Sequence, residues 1–227
     1  MKFFWFALFL FMVSVCQAQF RREAAAEFEK EVRDRQVQVL DVRTAGEFNT
    51  GHISNAMQAN WNNQEEFSNR VQYLDRERPV YVYCMVGARS DAAAHWMVSH
   101  GFKKVIELKG GLLAWKKENF PLDAFKTEKQ ISLAEFNASI NNGAVVLVDF
   151  GASWCPPCIK MQPVLDSLQK DPQLKFELVK VDASTQMELM KSLQIESIPA
   201  FIVYKNGKET WRKEGFVPLA PLQSQLK

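Results

Sequence analysis

A pair of cysteines directly after an apolar run is the feature that most constrains the fold of this chain. The run, VVLVDF at 145–150, has the continuous apolar character of a buried central strand, and Cys155-Pro156-Pro157-Cys158 follows it closely. From Cys155 onward the pattern predicts a helix to about residue 170, kinked by a proline at 163. A helix start offers free N–H groups and the positive end of the helix dipole, so it stabilises a thiolate on Cys155.

The C-x-x-C spacing lets Cys158 close a disulfide with Cys155 and open it again by exchange. A zinc site is one alternative, but zinc usually takes four ligands, and the chain has no second C-x-x-C pair. The three histidines, His52, His95 and His100, all lie in the other half of the sequence. A static structural disulfide is the other alternative, and it would not need a helix start. We therefore predict redox chemistry, with Cys155 attacking, Cys158 resolving and no metal.

The segments around this pair alternate between strand and helix patterns. Ser132 and Glu135 have the spacing of a capping box ahead of a helix. Asn206-Gly207 between two apolar runs is a strong signal for a β-hairpin. The other patterns predict a strand at 175–182 and a helix at 185–193, with hairpin strands at 200–204 and 209–213. An α/β domain therefore follows from the residues themselves.

Three segments of this half resemble the thioredoxin family over residues 126–227: VLVDFGASWCPPC, Ser197-Ile198-Pro199 and FIVYKNGKE. The resemblance implies a thioredoxin fold with a mixed sheet and a cis peptide bond before Pro199, beside the disulfide. It assigns Pro199 and Trp154 to the substrate groove. It also implies that Asp149 is a buried carboxylate that assists proton transfer to Cys158. The alternative is that Asp149 is only a hydrogen-bonded core residue.

Several positions depart from the thioredoxin pattern. Gly151 stands where thioredoxins often have Trp, and Ala200 where they often have Thr. Pro156-Pro157 replaces the usual Gly-Pro and resembles envelope thiol reductases and tryparedoxins. No His lies between the cysteines, whereas strong oxidants of the family often have one there. This favours a reductase, because the reduction potential depends on how far the reduced form is stabilised.

The N-terminal half has strand and helix patterns of its own. They predict helices at 23–35 and 90–100 and strands at 37–42, 79–84 and 104–108, as in a parallel α/β sheet. Cys84 ends a strand, and the loop after it leads into a helix, so backbone N–H groups converge on its sulfur. Such a site stabilises a thiolate or a persulfide. Gly87 allows the tight turn, and Arg89 offers a charge-assisted contact to an anionic sulfur donor.

These residues resemble the rhodanese family over 22–123. The match consists of LDVRTAGEFNTGHISNAMQANW (40–61), the C-x-x-G-x-R loop (84–89) and GGLLAWKKENFPL (110–122). The resemblance implies a sulfurtransferase with Cys84 as the persulfide carrier. Met85 and Val86 are apolar, which favours a persulfide or polysulfide donor over thiosulfate. The alternative is an inert Cys84 in a protein-binding domain. Asp41 and Arg43 are expected to pair with each other or support the loop, and His52 to be structural.

The N-terminal segment MKFFWFALFLFMVSVCQAQF has one Lys, an apolar run at 3–15 and small residues before a cleavage site. This pattern predicts a signal peptide at 1–18, removed after Ala18. The run is too short for a spanning helix, so we expect no stable membrane span in the mature chain. A lipid on Cys16 is the alternative. The expected location is therefore the periplasm or cell envelope.

Together these patterns predict two three-layer α/β domains, at 22–123 and 126–227, in an exported thiol–disulfide oxidoreductase. A net charge of +2 gives no reason to expect nucleic acid binding. No flavin or nicotinamide fingerprint is present, so we predict no cofactor. A reductase would then take electrons from a membrane thiol carrier and pass them to disulfide- or persulfide-bearing substrates. Two other functions remain open: a sulfurtransferase whose thioredoxin-like domain accepts sulfur, and a redox domain targeted by a non-catalytic rhodanese-like module.

Overall fold

The computed structural model describes residues 19–34, 37–125, 128–141 and 145–227. The predicted signal peptide and Cys16 lie outside the described residues. No helix within the described ranges has the length and apolar character needed to cross a bilayer.

In the part of the chain that the structure describes, the N-terminal half contains a parallel sheet of five strands in the order β1-β5-β4-β2-β3. The strands are β1 (Gln19–Glu23), β2 (Gln38–Asp41), β3 (Met57–Gln58), β4 (Val80–Tyr83) and β5 (Lys104–Leu108). The helices are α1 (Ala25–Val32), α2 (Ala45–Asn49), α3 (Gln64–Val71), α4 (Ala88–Ser99) and α5 (Gly111–Lys117). Parallel strands need crossover connections, and these helices supply them.

One prediction for this half was wrong at its first residues. The helix predicted from residue 23 begins only at Ala25, because 19–23 form the edge strand β1 instead. The polar sequence QFRRE gives no apolar strand pattern. It pairs with β5 in parallel register, and Arg22 pairs with Asp91 of α4, so tertiary partners decide its conformation.

The C-terminal half contains a mixed sheet, which among the described residues has four strands in the order β7-β6-β8-β9. The strands are β6 (Val145–Gly151), β7 (Phe176–Asp182), β8 (Ala200–Lys205) and β9 (Lys208–Glu214). The helices are α6 (Leu133–Ile140), α7 (Pro156–Lys170), α8 (Met187–Ser192) and α9 (Leu219–Gln225). β6 pairs in parallel with β7 and antiparallel with β8, so its apolar run is that of a central strand.

Two local predictions for this half are confirmed. The Ser132 side chain accepts the Glu135 N–H, and the Glu135 side chain accepts the Ser132 N–H, which completes the capping box. Asn206 and Gly207 have φ angles of 52° and 71°, so both central hairpin residues are left-handed, as a type I′ turn requires.

The two halves meet at Trp154, directly before Cys155. The Trp154 carbonyl accepts the backbone N–H of Gln58 at 2.9 Å. Its ring centroid lies 5.5 Å from that of Phe48 and 5.3 Å from the Arg70 guanidinium. Apolar side chains of both halves continue through this junction as one buried cluster. The junction therefore places α2 and α3 of the first half beside the start of α7.

We expect Phe48→Ala to lower the free energy of unfolding by about 3–5 kcal/mol, because a fully buried ring leaves a cavity. Phe48 has no exposed surface, and its ring stacks on His52 at a centroid distance of 3.9 Å. Denaturant unfolding followed by circular dichroism measures the change. Leu113→Ala is the control: Leu113 is 54% exposed, so we expect a change within about 0.5 kcal/mol. Equal costs for the two variants would contradict this account of the junction.

Candidate active site

The cysteine pair lies at the start of α7, as the sequence predicts. Cys155 is the N-cap residue and is disulfide-bonded to Cys158. The Cys158 backbone N–H donates to the Cys155 sulfur at 3.3 Å. Pro156 occupies the first helical position, where its missing N–H costs nothing and its fixed φ favours the helix. After reduction, a thiolate on Cys155 would keep this N–H donor and the helix dipole, so Cys155 is the sulfur suited to attack.

The peptide bond between Ile198 and Pro199 is cis, as the resemblance implied. The Ile198 carbonyl oxygen lies 3.7 Å from the Cys155 sulfur, so this loop borders the disulfide. Trp154 borders it from the other side, and its indole N–H donates to the Ser184 hydroxyl at 2.8 Å. The structure therefore brings together the predicted site residues Cys155, Cys158, Trp154 and Pro199.

Two clefts at the junction of the halves flank this loop. Their volumes are about 840 and 760 Å³, and Arg70 and Ile198 line both of them. Cys155 itself is fully buried, whereas Cys158 is partly exposed. Residues of both halves line the two clefts.

Asp149 lies behind the disulfide on β6. Burial raises its pKa from 3.8 to about 6, and the charge of Lys180 on the neighbouring strand opposes part of the rise. A cavity of about 480 Å³ is lined by Asp149, Cys158, Lys180 and Gly151. A Cβ atom at Gly151 would lie 3.4 Å from Asp149 Oδ1 and 3.9 Å from the Cys158 sulfur. The absence of a side chain at 151 thus leaves the carboxyl and the Cys158 sulfur facing one space.

Cys84 lies between β4 and α4, in the other half. Its side chain has no exposed surface, and its sulfur accepts the Gly87 N–H at 3.1 Å. The Ser90 hydroxyl lies 3.5 Å from the same sulfur. Burial raises the pKa of the Cys84 thiol, but hydrogen bonds from Ser90, Val86 and Gly87 outweigh it, so the pKa lies below its ordinary value. The loop is thus built to hold a sulfur anion.

Gly87 and Arg89 have clear positions in this loop. Gly87 has a φ of 104° and is the N-cap residue of α4, which allows the turn toward the sulfur. The Arg89 guanidinium makes a bidentate pair with Glu47 of α2, at 2.8 and 2.6 Å. This pair lowers the pKa of Glu47 to about 2. The guanidinium that we expected to meet an anionic donor is therefore already engaged by a carboxylate.

Supporting residues around Cys84 behave as structural groups. Arg43 and Asp41 form a fully buried ion pair at 2.6 Å, and Arg43 also donates to the Gly51 carbonyl. Burial raises the pKa of Asp41, and the bond from Arg43 opposes the rise. His52 Nδ1 lies 3.1 Å from the Phe48 carbonyl, in keeping with a structural role. Within the described ranges, no group of three or more His, Cys, Asp or Glu side chains could hold a metal ion.

Sequence reasoning missed three residues around Cys84: Glu47, Ser90 and Glu107. Glu107 is only 2% exposed and accepts the Ser90 hydroxyl at 2.7 Å. The sequence indicates a special role for Glu107, because it is an acidic residue inside the apolar run KVIEL. The same signal singled out Asp149 in VVLVDF.

We expect Asp149→Asn to stabilise the oxidised protein by about 2–3 kcal/mol at neutral pH, as the pKa difference implies. The pKa of Asp149 is about 6 in the folded chain and near 3.8 in the unfolded chain. The carboxyl therefore opposes folding as the pH rises between these values. The gain should vanish below about pH 4, where Asp149 is protonated in both states. Denaturant unfolding at several pH values measures it. Asp166→Asn on the same half is the control, and a gain that does not depend on pH would contradict the assignment.

Comparison with known proteins agrees with both halves. The thioredoxin model matches residues 127–227, and the rhodanese-like domain model matches 24–118. A chloroplastic thioredoxin Y of Oryza sativa subsp. japonica is 41% identical over 81 residues, 36% of this chain and 48% of its own. The chain thus spans about half the length of that relative. A thioredoxin of Staphylococcus aureus is 35% identical over 97 residues, 43% of this chain and 92% of its own.

Two solved structures are also similar. A Plasmodium falciparum thioredoxin has 33% identity and a TM-score of 0.37, covering 44% of this chain and 96% of its own. A rhodanese-related protein from Thermoplasma volcanium has 25% identity and a TM-score of 0.40, covering 48% of this chain and 99% of its own. On the sequence matches, the chain belongs to the thioredoxin family through residues 127–227, and a rhodanese-like domain at 24–118 precedes that part.

Proposed function

We propose that this chain is an exported thiol–disulfide oxidoreductase that reduces disulfides, and that its two domains extend over 22–123 and 126–227. The observation that carries the proposal is the Cys155–Cys158 disulfide at the start of α7, with the Cys158 N–H directed at the Cys155 sulfur. This arrangement favours the thiolate of Cys155 over that of an ordinary cysteine. The signal-peptide pattern at 1–18 supports export.

The proposed reaction has two exchange steps. The Cys155 thiolate attacks one sulfur of a client disulfide, forms a mixed disulfide and releases the other client sulfur as a thiolate. Cys158 then loses its proton and attacks the Cys155 sulfur, which releases the second client thiolate. The protein ends as the Cys155–Cys158 disulfide, and two electrons have passed to the client. A dithiol carrier in the membrane would return the two electrons by the same exchange chemistry.

Asp149 supplies the proton acceptor for the second step. Its carboxyl and the Cys158 sulfur line the same cavity, and its pKa of about 6 leaves it mostly ionised near neutral pH. An ionised carboxyl can take the Cys158 proton, directly or through a water molecule in the cavity. Cys158 then becomes the nucleophile that resolves the mixed disulfide.

We further propose that a persulfide on Cys84 is one substrate of this dithiol. The Cys155 thiolate attacks the inner sulfur of the Cys84 persulfide, which releases hydrosulfide and forms a Cys84–Cys155 disulfide. Cys158 then attacks Cys155 and releases the Cys84 thiolate. Helix α2 supports the coupling, because Glu47 binds Arg89 of the Cys84 loop and Phe48 contacts Trp154. Cys84 and Cys155 are both buried, so the transfer requires the halves to shift.

A sulfurtransferase is the second candidate function. The hydrogen bonds to Cys84 from Gly87 and Ser90 favour it, since they stabilise a sulfur anion without any help from the other half. In this case the C-terminal domain would only accept sulfur, and Cys84→Ser would abolish all turnover with a sulfane donor. If the rhodanese-like domain only binds clients, Cys84→Ser would change nothing, and deleting the domain would alter the choice of client.

We expect Cys155→Ser to abolish reduction of a protein disulfide, measured as dithiothreitol-driven precipitation of insulin by the full chain. The reason is that, among the cysteines that the structure describes, Cys155 alone has both a helix start and a resolving partner. Cys84→Ser is the matched control, because it removes a buried thiol of the other half and should retain disulfide reduction. Undiminished turnover in Cys155→Ser would refute the proposed function.

A further inference from the structure

Glu107 is a buried carboxyl near Cys84 that has no part in the reaction proposed above. The Ser90 hydroxyl connects the two groups: its oxygen lies 2.7 Å from Glu107 Oε1 and 3.5 Å from the Cys84 sulfur. The same oxygen lies 3.0 Å from the Gly87 carbonyl. Cys84 and Ser90 have no exposed surface, and Glu107 is 2% exposed, so all three groups are shielded from bulk solvent.

The Ser90 hydroxyl has one proton, and these three acceptors compete for it. An ionised Glu107 is a charged acceptor at the shortest distance, so it takes the proton and leaves the Cys84 sulfur without it. A protonated Glu107 instead donates to the Ser90 oxygen. The Ser90 proton is then free, and a thiolate on Cys84 is the stronger of the two acceptors that remain.

We propose that Glu107 is a positioning residue that sets the acidity of Cys84 through the hydroxyl of Ser90. The thiolate of Cys84 and the carboxylate of Glu107 compete for one hydrogen-bond donor, so ionisation of either group disfavours ionisation of the other. Any effect of Glu107 on sulfur transfer rests on the proposed role of Cys84 as a sulfur carrier. The acidity of Cys84 itself can be measured without any transfer.

The charges around Glu107 agree with this competition. Arg22 of β1 lies 4.0 Å from Glu107 Oε2, but Asp91 of α4 engages Arg22 directly. His95 lies 3.9 Å from the other oxygen of Asp91. Burial raises the pKa of Glu107, and the charge of Asp91 raises it further. The hydrogen bond from Ser90 and the charge of Arg22 both lower it. The pKa of Glu107 therefore lies above the ordinary value for Glu, which favours the protonated form that releases the Ser90 proton.

On the side of Cys84, the facing charges are already paired. Arg89 is bound by Glu47, and Asp41, which also acts on Arg89, is bound by Arg43. Neither cation is therefore free to replace the Ser90 donor at the sulfur. Within the described residues, the Ser90 hydroxyl is then the side-chain donor to the Cys84 sulfur, beside the backbone N–H groups of Val86, Gly87 and Ser90.

The test is a pH titration of the Cys84 thiolate by its ultraviolet absorbance, in the full chain with Cys16→Ser and the Cys155–Cys158 disulfide intact. A Cys84→Ser sample supplies the background. Gln at 107 keeps a donor to Ser90 and carries no charge. We therefore expect Glu107→Gln to lower the midpoint by about one pH unit, a tenfold change in the acid constant. Ser90→Ala alone should shift the midpoint much less, because an ionised Glu107 already holds the Ser90 proton in the wild type.

The double variant Ser90→Ala/Glu107→Gln shows whether Glu107 acts through Ser90. We expect Glu107→Gln to shift the midpoint much less when Ser90 is absent. Asp91→Asn is the charge control: it removes a nearby carboxylate that does not contact Ser90, and its shift should be smaller than that of Glu107→Gln. An unchanged or raised midpoint in Glu107→Gln, or an equal shift with and without Ser90, would overturn the inference.

Neither the midpoint of the Cys84 titration nor its dependence on Ser90 requires sulfur transfer or disulfide reduction, so the inference can fail while the proposed function stands.

Discussion

The contact of Trp154 with the N-terminal half is the interaction on which the rest of the structure depends. Its carbonyl accepts the Gln58 N–H at 2.9 Å, its ring lies against Phe48 and Arg70, and the next residue is Cys155. The residue before Cys155 is therefore held by the other half. Residues of both halves also line the clefts beside Ile198, and Cys155 is fully buried.

Cys84 and Cys155 lie at the starts of two different helices, and similar interactions surround both sulfur atoms. Each sulfur accepts a backbone N–H at the start of a helix, from Gly87 at 3.1 Å for Cys84 and from Cys158 at 3.3 Å for Cys155. Each site also has a carboxyl whose pKa is raised by burial: Glu107, which is 2% exposed, in one half and the partly buried Asp149 in the other. They differ in how the carboxyl reaches the sulfur: Glu107 acts through a hydroxyl, whereas Asp149 shares a cavity with Cys158. Each of the two cysteine sites therefore combines a backbone N–H at a helix start with a nearby carboxyl.

Local patterns predicted most of the fold, and tertiary contacts account for what they missed. The apolar run of β6, the Ser132 capping box and the hairpin at Asn206 depend on neighbouring residues, so they can be read from the sequence. The edge strand β1 cannot, because its polar residues are held by β5 and α4. The pairing of Arg89 with Glu47 joins residues 42 positions apart, so no spacing rule indicates it. Glu107 differs from these, since its burial was foreseeable from an acidic residue in an apolar strand.

We propose above that Cys155 of the C-terminal half attacks the persulfide on Cys84 of the N-terminal half. Intact mass spectrometry of a Cys158→Ser variant tests this proposal most directly. The variant is reduced, freed of reductant and given a sulfane-sulfur donor. Without its resolving thiol, Cys155 stays bonded to whatever it attacks. The account predicts a Cys84–Cys155 disulfide that disappears when Cys84→Ser is added. A Cys84 that neither gains sulfur nor links to Cys155 would contradict it and would leave the rhodanese-like domain as a binding module.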